Sequence, residues 1–217
     1  MVKNRWVLGV ASVVALGAFA CSGADEQLGA EMQALAGSPG AGGGTTTCVP
    51  SVADAMIHSV QPNGNFGTPI GSYLFNNPEI SCLMRWDLSA IPSTATVTLA
   101  TVQMYITSPT APSPAFMLKK SWLELQATWN SRSSTQLWDT PGAKASTDRG
   151  SSMLFTLPVN TGFRLAFNGA ALIPTVQSWV TTPSSNHGVV ITNPTGGMII
   201  QTRESTQPDP TLCVTWR

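Results

Sequence analysis

From residue 48 to the C-terminus the chain offers only short β-branched or aromatic runs, each stopped by a cluster of Pro, Gly or Asn. Such residues suit a pleated, half-buried surface, and the stops come too often for long helices. Strands are expected at 53–59, 72–75, 82–88, 95–108 with a break, 115–120, 153–158, 189–193, 198–202 and 212–216. One stretch, 170–180, reads as a helix or turn, because Leu172, Ile173, Val176 and Trp179 fall near i, i+3, i+4, i+7 spacing. Pro174 sits in its first turn, where a missing N–H does least harm. No internal repeat is visible. The pattern suits an all-β fold, a single antiparallel β-sandwich or jelly roll over 48–217.

Period-two alternation assigns faces. In 81–88, Met84, Trp86 and Leu88 share one side, and Leu83, Arg85 and Asp87 the other. In 211–216, Leu212, Val214 and Trp216 oppose Cys213 and Thr215. Arg85 and Asp87 therefore lie on a non-core face or in a groove, either as a pair that supports neighbouring loops or as ligand contacts.

The amino terminus reads as an address. Lys3 and Arg5 precede an apolar run at 6–20, which is too short for the roughly 20 residues of a membrane span. Small residues flank Phe19, as plain secretion requires, and Cys21 followed by Ser-Gly-Ala looks like a bacterial lipoprotein signal. That likeness makes 1–20 the signal and Cys21 the lipidated first residue of the mature chain. Residues 21–47, rich in Gly, form a flexible tether. Export places the remaining thiols in an oxidising compartment. With Cys21 set aside, Cys48, Cys82 and Cys213 are an odd number. Cys82 shares the face of Met84 and is expected buried and free. Cys213 faces away from the core, and Cys48 reaches it if the first and last strands are neighbours. The expected bridge is Cys48–Cys213.

Charge narrows the partners. Eleven basic residues balance eleven acidic ones, and only 10% of the chain is charged against roughly 25% in an average protein. Nucleic acid, which needs clustered Lys and Arg, is excluded as the main ligand.

Five segments in order carry a likeness: 54–67 (DAMIHSVQPNGNFG), 82–106 (CLMRWDLSAIPSTATVTLATVQMYI), 121–130 (SWLELQATWN), 171–191 (ALIPTVQSWVTTPSSNHGVVI) and 202–216 (TRESTQPDPTLCVTW). The chain resembles the DNRLRE domain, also called the disaggregatase-related or carbohydrate-binding module family 96 domain. It departs from that pattern at Trp86, where the family usually has Phe, and over 137–164. The resemblance implies a secreted β jelly roll that binds an acidic or neutral glycan. Jelly-roll sugar modules often hold a structural calcium, for which Asn63, Asn65 and Asp54 offer oxygens; the same residues also suit an ordinary Asn/Gly turn.

Catalysis finds little to work with. His58 and His187 are the only histidines, each beside turn residues, and Tyr73 and Tyr105 both lie in strands. Glu124 and Glu204 read as hydrogen-bond acceptors that hold corners. Gly-rich phosphate loops and zinc spacings are missing, so the chain is expected to be no enzyme and to need no cofactor. For a glycan, aromatic faces stack and Lys or Arg reads a uronate. Trp122, Trp129 and Trp179 belong under loops, whereas Trp138, in an irregular segment, is expected exposed. Lys119 and Lys120 face opposite sides. The expected ligand contacts are Arg85, Lys119, Trp138 and Arg203. The chain thus reads as a monomeric, non-catalytic lipoprotein on the outer membrane or cell surface of a bacterium, binding polysaccharide. The alternative is a structural or adhesion domain with protein or matrix partners, and a polysaccharide-degrading enzyme comes third.

Overall fold

β1 (Thr45–His58) serves two neighbours, and this organises everything else. In the computed structural model, which describes residues 43–217, its first half pairs with β13 (Thr211–Trp216), Thr45 opposite Trp216 and Pro50 opposite Thr211. A register shift between Ser51 and Ala53 then turns the strand, and its second half pairs with β3 (Ile80–Trp86). Bulges of this kind let one strand leave a sheet and join another. The lipoprotein-type signal, Cys21 and the Gly-rich run up to residue 42 lie outside the described residues. Thr45–Thr47, expected to belong to the tether, are paired with β13.

The other strands are β2 (Gly71–Phe75), β4 (Val97–Thr107), β5 (Ser113–Leu118), β6 (Ser131–Ser133), β7 (Gln136–Leu137), β8 (Arg149–Leu157), β9 (Gly162–Leu165), β10 (Phe167–Asn168), β11 (Val189–Ile191) and β12 (Gly197–Gln201). All their pairings are antiparallel, and the fold is all-β. Strands β1, β13, β4, β12, β2 and β3 close into a six-membered, barrel-like ring. β12 and β13 both run along β4, Ile200 opposite Ile106 and Thr211 opposite Gln103, with residues 202–210 looping out between them. From β3 a branch continues through β11, β5, β8 and β10. Residues 162–168 tie the branch back to the ring, since β9 pairs with β4 and β10 with β8.

Inside the ring and under the branch lies the main core, with Met84, Trp86, Val102, Met104, Ile106, Phe155, Val176, Trp179 and Val214. α1 (Leu172–Thr181) lies against it through Leu172, Val176, Trp179 and Val180. The helix has no side-chain N-cap. Gln177 ties it to the sheet instead, accepting from Val97 N (2.8 Å) and donating to Ala95 O (3.0 Å). A short 3₁₀ turn, Pro183–Ser185, follows.

The expected strands and helix are present, with two differences. The strand at 95–108 runs unbroken as Val97–Thr107. The alternation in β3 does not leave one face outside, because Leu83 is as buried as Met84. It belongs to a second core with Ala55, Ile57, Leu118, Trp122, Trp129, Trp138 and Val190. Cys48 and Cys213 sit directly opposite each other and form a disulfide, while Cys82 is buried and free.

Candidate functional site

The second core exists because residues 119–148 fold back over the outer face of β1, β3, β5 and β11. Trp122, Trp129 and Trp138 are its largest side chains. Two of the indole N–H groups find backbone acceptors in that packing: Trp122 donates to His187 O (2.9 Å) and Trp138 to Thr128 O (3.0 Å). Trp138 is 3% exposed, which corrects its reading as an open stacking surface. A large ring with a backbone acceptor in reach gains more from burial than from solvent. Asp148, fully buried, holds the excursion by accepting from the N–H groups of Asp139 (3.0 Å), Thr140 (3.0 Å) and Ala145 (3.3 Å). Lys120 pairs with Asp139 and Asp148.

Where β3 emerges from this double packing, an open groove of about 350 Å³ is lined by Val52, Arg85, Trp86, Asp87, Trp179 and Asn186, among others. Arg85 lies half-buried, its guanidinium 5.7 Å from the centre of the Trp122 ring. It has no ion pair among the described residues. Asp87, just past the end of β3, accepts instead from Ser89 N (2.9 Å), so the two do not form the supporting pair that the sequence left open. Asn186 fixes the rim by donating to Trp86 O (2.8 Å). The floor is Trp86 and Trp179, each 1% exposed, so neither offers a free ring face. Trp86 donates to Pro210 O (3.1 Å), but the buried indole N–H of Trp179 has no partner. Gly188 makes the rim possible. With φ of +75° it passes so close to β3 that a Cβ would sit 2.0 Å from Met84 O. Beside it, burial and then the guanidiniums of Arg85 and Arg132 hold the His187 imidazole below its usual value.

Arg203 is taken up elsewhere. Its guanidinium donates to both oxygens of Glu124 (3.0 and 2.8 Å) and pairs with Glu204 (3.1 Å). Glu124 also accepts from Asp54 N (2.8 Å), and Asp54 accepts from Arg203 N (3.2 Å). Asp54, Glu124 and Glu204 thus come together, with carboxylate oxygens within 4.8 Å of one another. Burial, reinforced by the charges of Glu204 and Glu124, pushes Asp54 up to about 7 despite the Arg203 N–H. The cluster ties β1, the 121–128 turn and the 202–210 loop; Glu124 is the corner acceptor expected, Glu204 joins through its ion pair with Arg203 and leaves Oε2 buried without a partner, and Arg203 is engaged there.

Lys119 lies in a separate cleft of about 390 Å³ with Ser151, Ser152, Thr175 and Ser178, and donates to Ser146 O (2.8 Å). The oxygens considered for calcium are engaged. Asn63 accepts from Asn130 (2.9 Å), and Asn65 donates to Glu124 O and Ala127 O while its own oxygen faces Gly67 N. Asp54 accepts from Arg203 N in the acidic cluster, so all three residues have partners within the protein. His58 accepts from Val60 N (3.2 Å) within its own turn.

The sequence reading missed an aromatic row. Tyr73 and Phe75 alternate with buried Ser72 and Leu74 on β2, and are 48% and 41% exposed. The Phe75 ring lies across Gly197, where a Cβ would meet it at 2.7 Å. Alternation in 72–75 was the signal that could have found it.

No known family and no curated protein matches this sequence.

Proposed function

We propose that the chain is an exported, non-catalytic polysaccharide-binding lipoprotein whose all-β domain, read as a jelly-roll sandwich, engages glycan at the Arg85 groove. The observation that carries this reading is the groove itself, which presents the half-buried guanidinium of Arg85 with no carboxylate in ion-pair range among the described residues. Hydroxyl and carboxylate oxygens of a sugar chain supply the acceptors it lacks. With the Trp86 and Trp179 faces buried, affinity there comes from hydrogen bonds and charge, and Asn186 and Asp87 add polar edges. The Cys48–Cys213 bridge supports an oxidising compartment. The three neighbouring carboxylates support the non-catalytic reading, because Arg203 already occupies two of them and the 202–210 loop shares their hydrogen bonds.

A glycan array of uronates, mannans and glucans tests the reading with the mature protein. Binding to any of them, weakened by Arg85→Gln, is the expected result, and silence across the panel removes it in favour of a structural or adhesion role. Mass spectrometry tests the anchor: acyl groups on Cys21 are expected, and an unmodified amino terminus at or beyond that residue rejects it.

A further inference from the structure

One side of the ring presents a wide outer face. β12 and β13 run along one edge of β4 and β9 along the other, while β2 and the first half of β1 flank β12 and β13 in turn. Alternate residues of these strands, among them Leu74, Met104, Ile200 and Leu212, enter the main core. Their neighbours point outwards. Thr107, Ile199 and Tyr73 form one row across three strands, and Tyr105 faces Phe163 beside it. Phe75 closes that end by lying across Gly197. At the far end Leu99, Thr215 and Thr46 make a similar row.

Charge is missing from this face. No Lys, Arg, Asp, Glu or His occurs in β2, β4, β12, β13 or β1 as far as Pro50. Arg164, the one charge on β9, lies opposite Met104 and so alternates to the other side from Phe163 and Leu165. The solvent side of an antiparallel sheet is ordinarily polar, and charges keep sheets from associating. Here Tyr73, Phe75, Leu99 and Leu165 are exposed instead. Exposed rings with charge depleted are the composition of a protein interface.

Extent and electrostatics then choose the partner. β4 alone is 11 residues long. At about 3.3 Å per residue and about 4.8 Å between strands, the face covers about 600 Å² before side-chain relief, against about 800 Å² from each partner in a standard interface. Small ligands favour concave sites, whereas this is the outside of a sheet. A charged partner gives up hydration here with nothing to pair with. A second copy brings the same chargeless face, so a two-fold axis sets no like charges against each other. The formal net charge of zero adds no repulsion at longer range.

We propose that two copies of this chain pair face to face through the outer side of β2, β4, β9, β12 and β13, in place of the monomer read from the sequence. None of the side chains lining the Arg85 groove belongs to this face, so each copy keeps its groove and the pair offers two.

Sedimentation equilibrium tests this on the mature chain carrying Cys21→Ser, so that no acyl group contributes to association, from about 1 to about 200 μM. A dimer at the upper end that dissociates on dilution is the expected result. Tyr73→Lys and Ile199→Lys are each expected to weaken dimerisation at least about tenfold, because each buries an unpaired charge in the interface. Leu137→Lys, at a side chain more exposed than Tyr73 but on β7, leaves it unchanged. Near-ultraviolet dichroism verifies that each variant folds, and Tyr73→Ala, expected to weaken the dimer as well, keeps the test open if a Lys variant misfolds. A monomer at every concentration overturns the proposal. So does a dimer that survives both Lys variants of the face, or one that Leu137→Lys dissociates. A monomer that binds neutral glucan and loses it with Tyr73→Lys gives the face to a sugar and also overturns the pair. Because the sedimentation runs contain no sugar, their outcome is separate from that of the glycan array.

Discussion

Asp54 is the residue at which burial and charge are most at odds. Folding raises its carboxyl from 3.8 to about 7, chiefly by removing it from water. The fold therefore binds this proton more tightly than the unfolded chain does. The stabilisation is complete below about pH 4, fades as pH rises through about 7, and is gone above it. By that linkage, stability falls by up to about 4 kcal/mol between acid and mildly alkaline pH. Asp54→Asn keeps an oxygen for Arg203 N and removes the titration. Denaturant midpoints from pH 4 to 9 are expected to show the variant gaining on the wild type as pH rises and overtaking it above neutrality. Parallel curves for the two proteins would refute the role of Asp54. Gly188 argues the same way from sterics. A methyl group there meets Met84 O at 2.0 Å on a left-handed backbone, so Gly188→Ala is expected to lose about 3 kcal/mol or more and to displace Arg85 from Trp122. Chemical denaturation and glycan affinity measured together check both halves.

Among the elements, the ones that could be read from sequence are those with a period. β4 and β13 alternate over six or more residues, and α1 repeats its apolar positions, so their existence and most of their faces follow from residue order alone, whereas β3 is buried on both faces. β6, β7, β9 and β10 span two to four residues, too few for any period, and are strands only because a neighbour pairs with them. The 119–148 excursion hides for a related reason. Its tryptophans follow no repeat, and the surface they cover, Leu83 and Val190, belongs to strands distant in sequence. The engagement of Arg203 is not legible in the sequence because Glu124, its partner, is 79 residues away. The burial of Trp138 makes a prediction that separates packing from binding. Trp138→Phe removes the bond to Thr128 O and is expected to cost about 1–2 kcal/mol in urea unfolding while leaving glycan affinity unchanged. A loss of affinity without a loss of stability would return Trp138 to the ligand set.

At the level of the whole molecule, β1 and the disulfide decide how the ends are held. Thr45 pairs with Trp216, so the segment that enters the fold and the last strand share one edge, and Cys48–Cys213 bolts them three pairs further in. Thiol count and the parity of 211–216 singled out Cys48 and Cys213 only on the condition that the first and last strands are neighbours, and the β1–β13 pairing meets that condition. The bridge closes a loop of 165 residues, which on a chain-entropy view stabilises the fold by about 5 kcal/mol through the unfolded state. Its removal leaves native contacts in place: the Thr46–Thr215 hydroxyl bond and the Trp216 N–H to Thr47 survive without sulfur. Cys48→Ser paired with Cys213→Ser is therefore expected to fold, to keep the Arg85 groove and its glycan affinity, and to melt at a markedly lower temperature. Because the buried Cys82 thiol lies apart from the bridge, reductant added to the folded wild type is expected to reproduce the loss of stability, and Cys82→Ala is expected not to. Equal melting of the oxidised wild type and the double variant would show that β1 and β13 need no covalent help, and that strand pairing alone closes the ring.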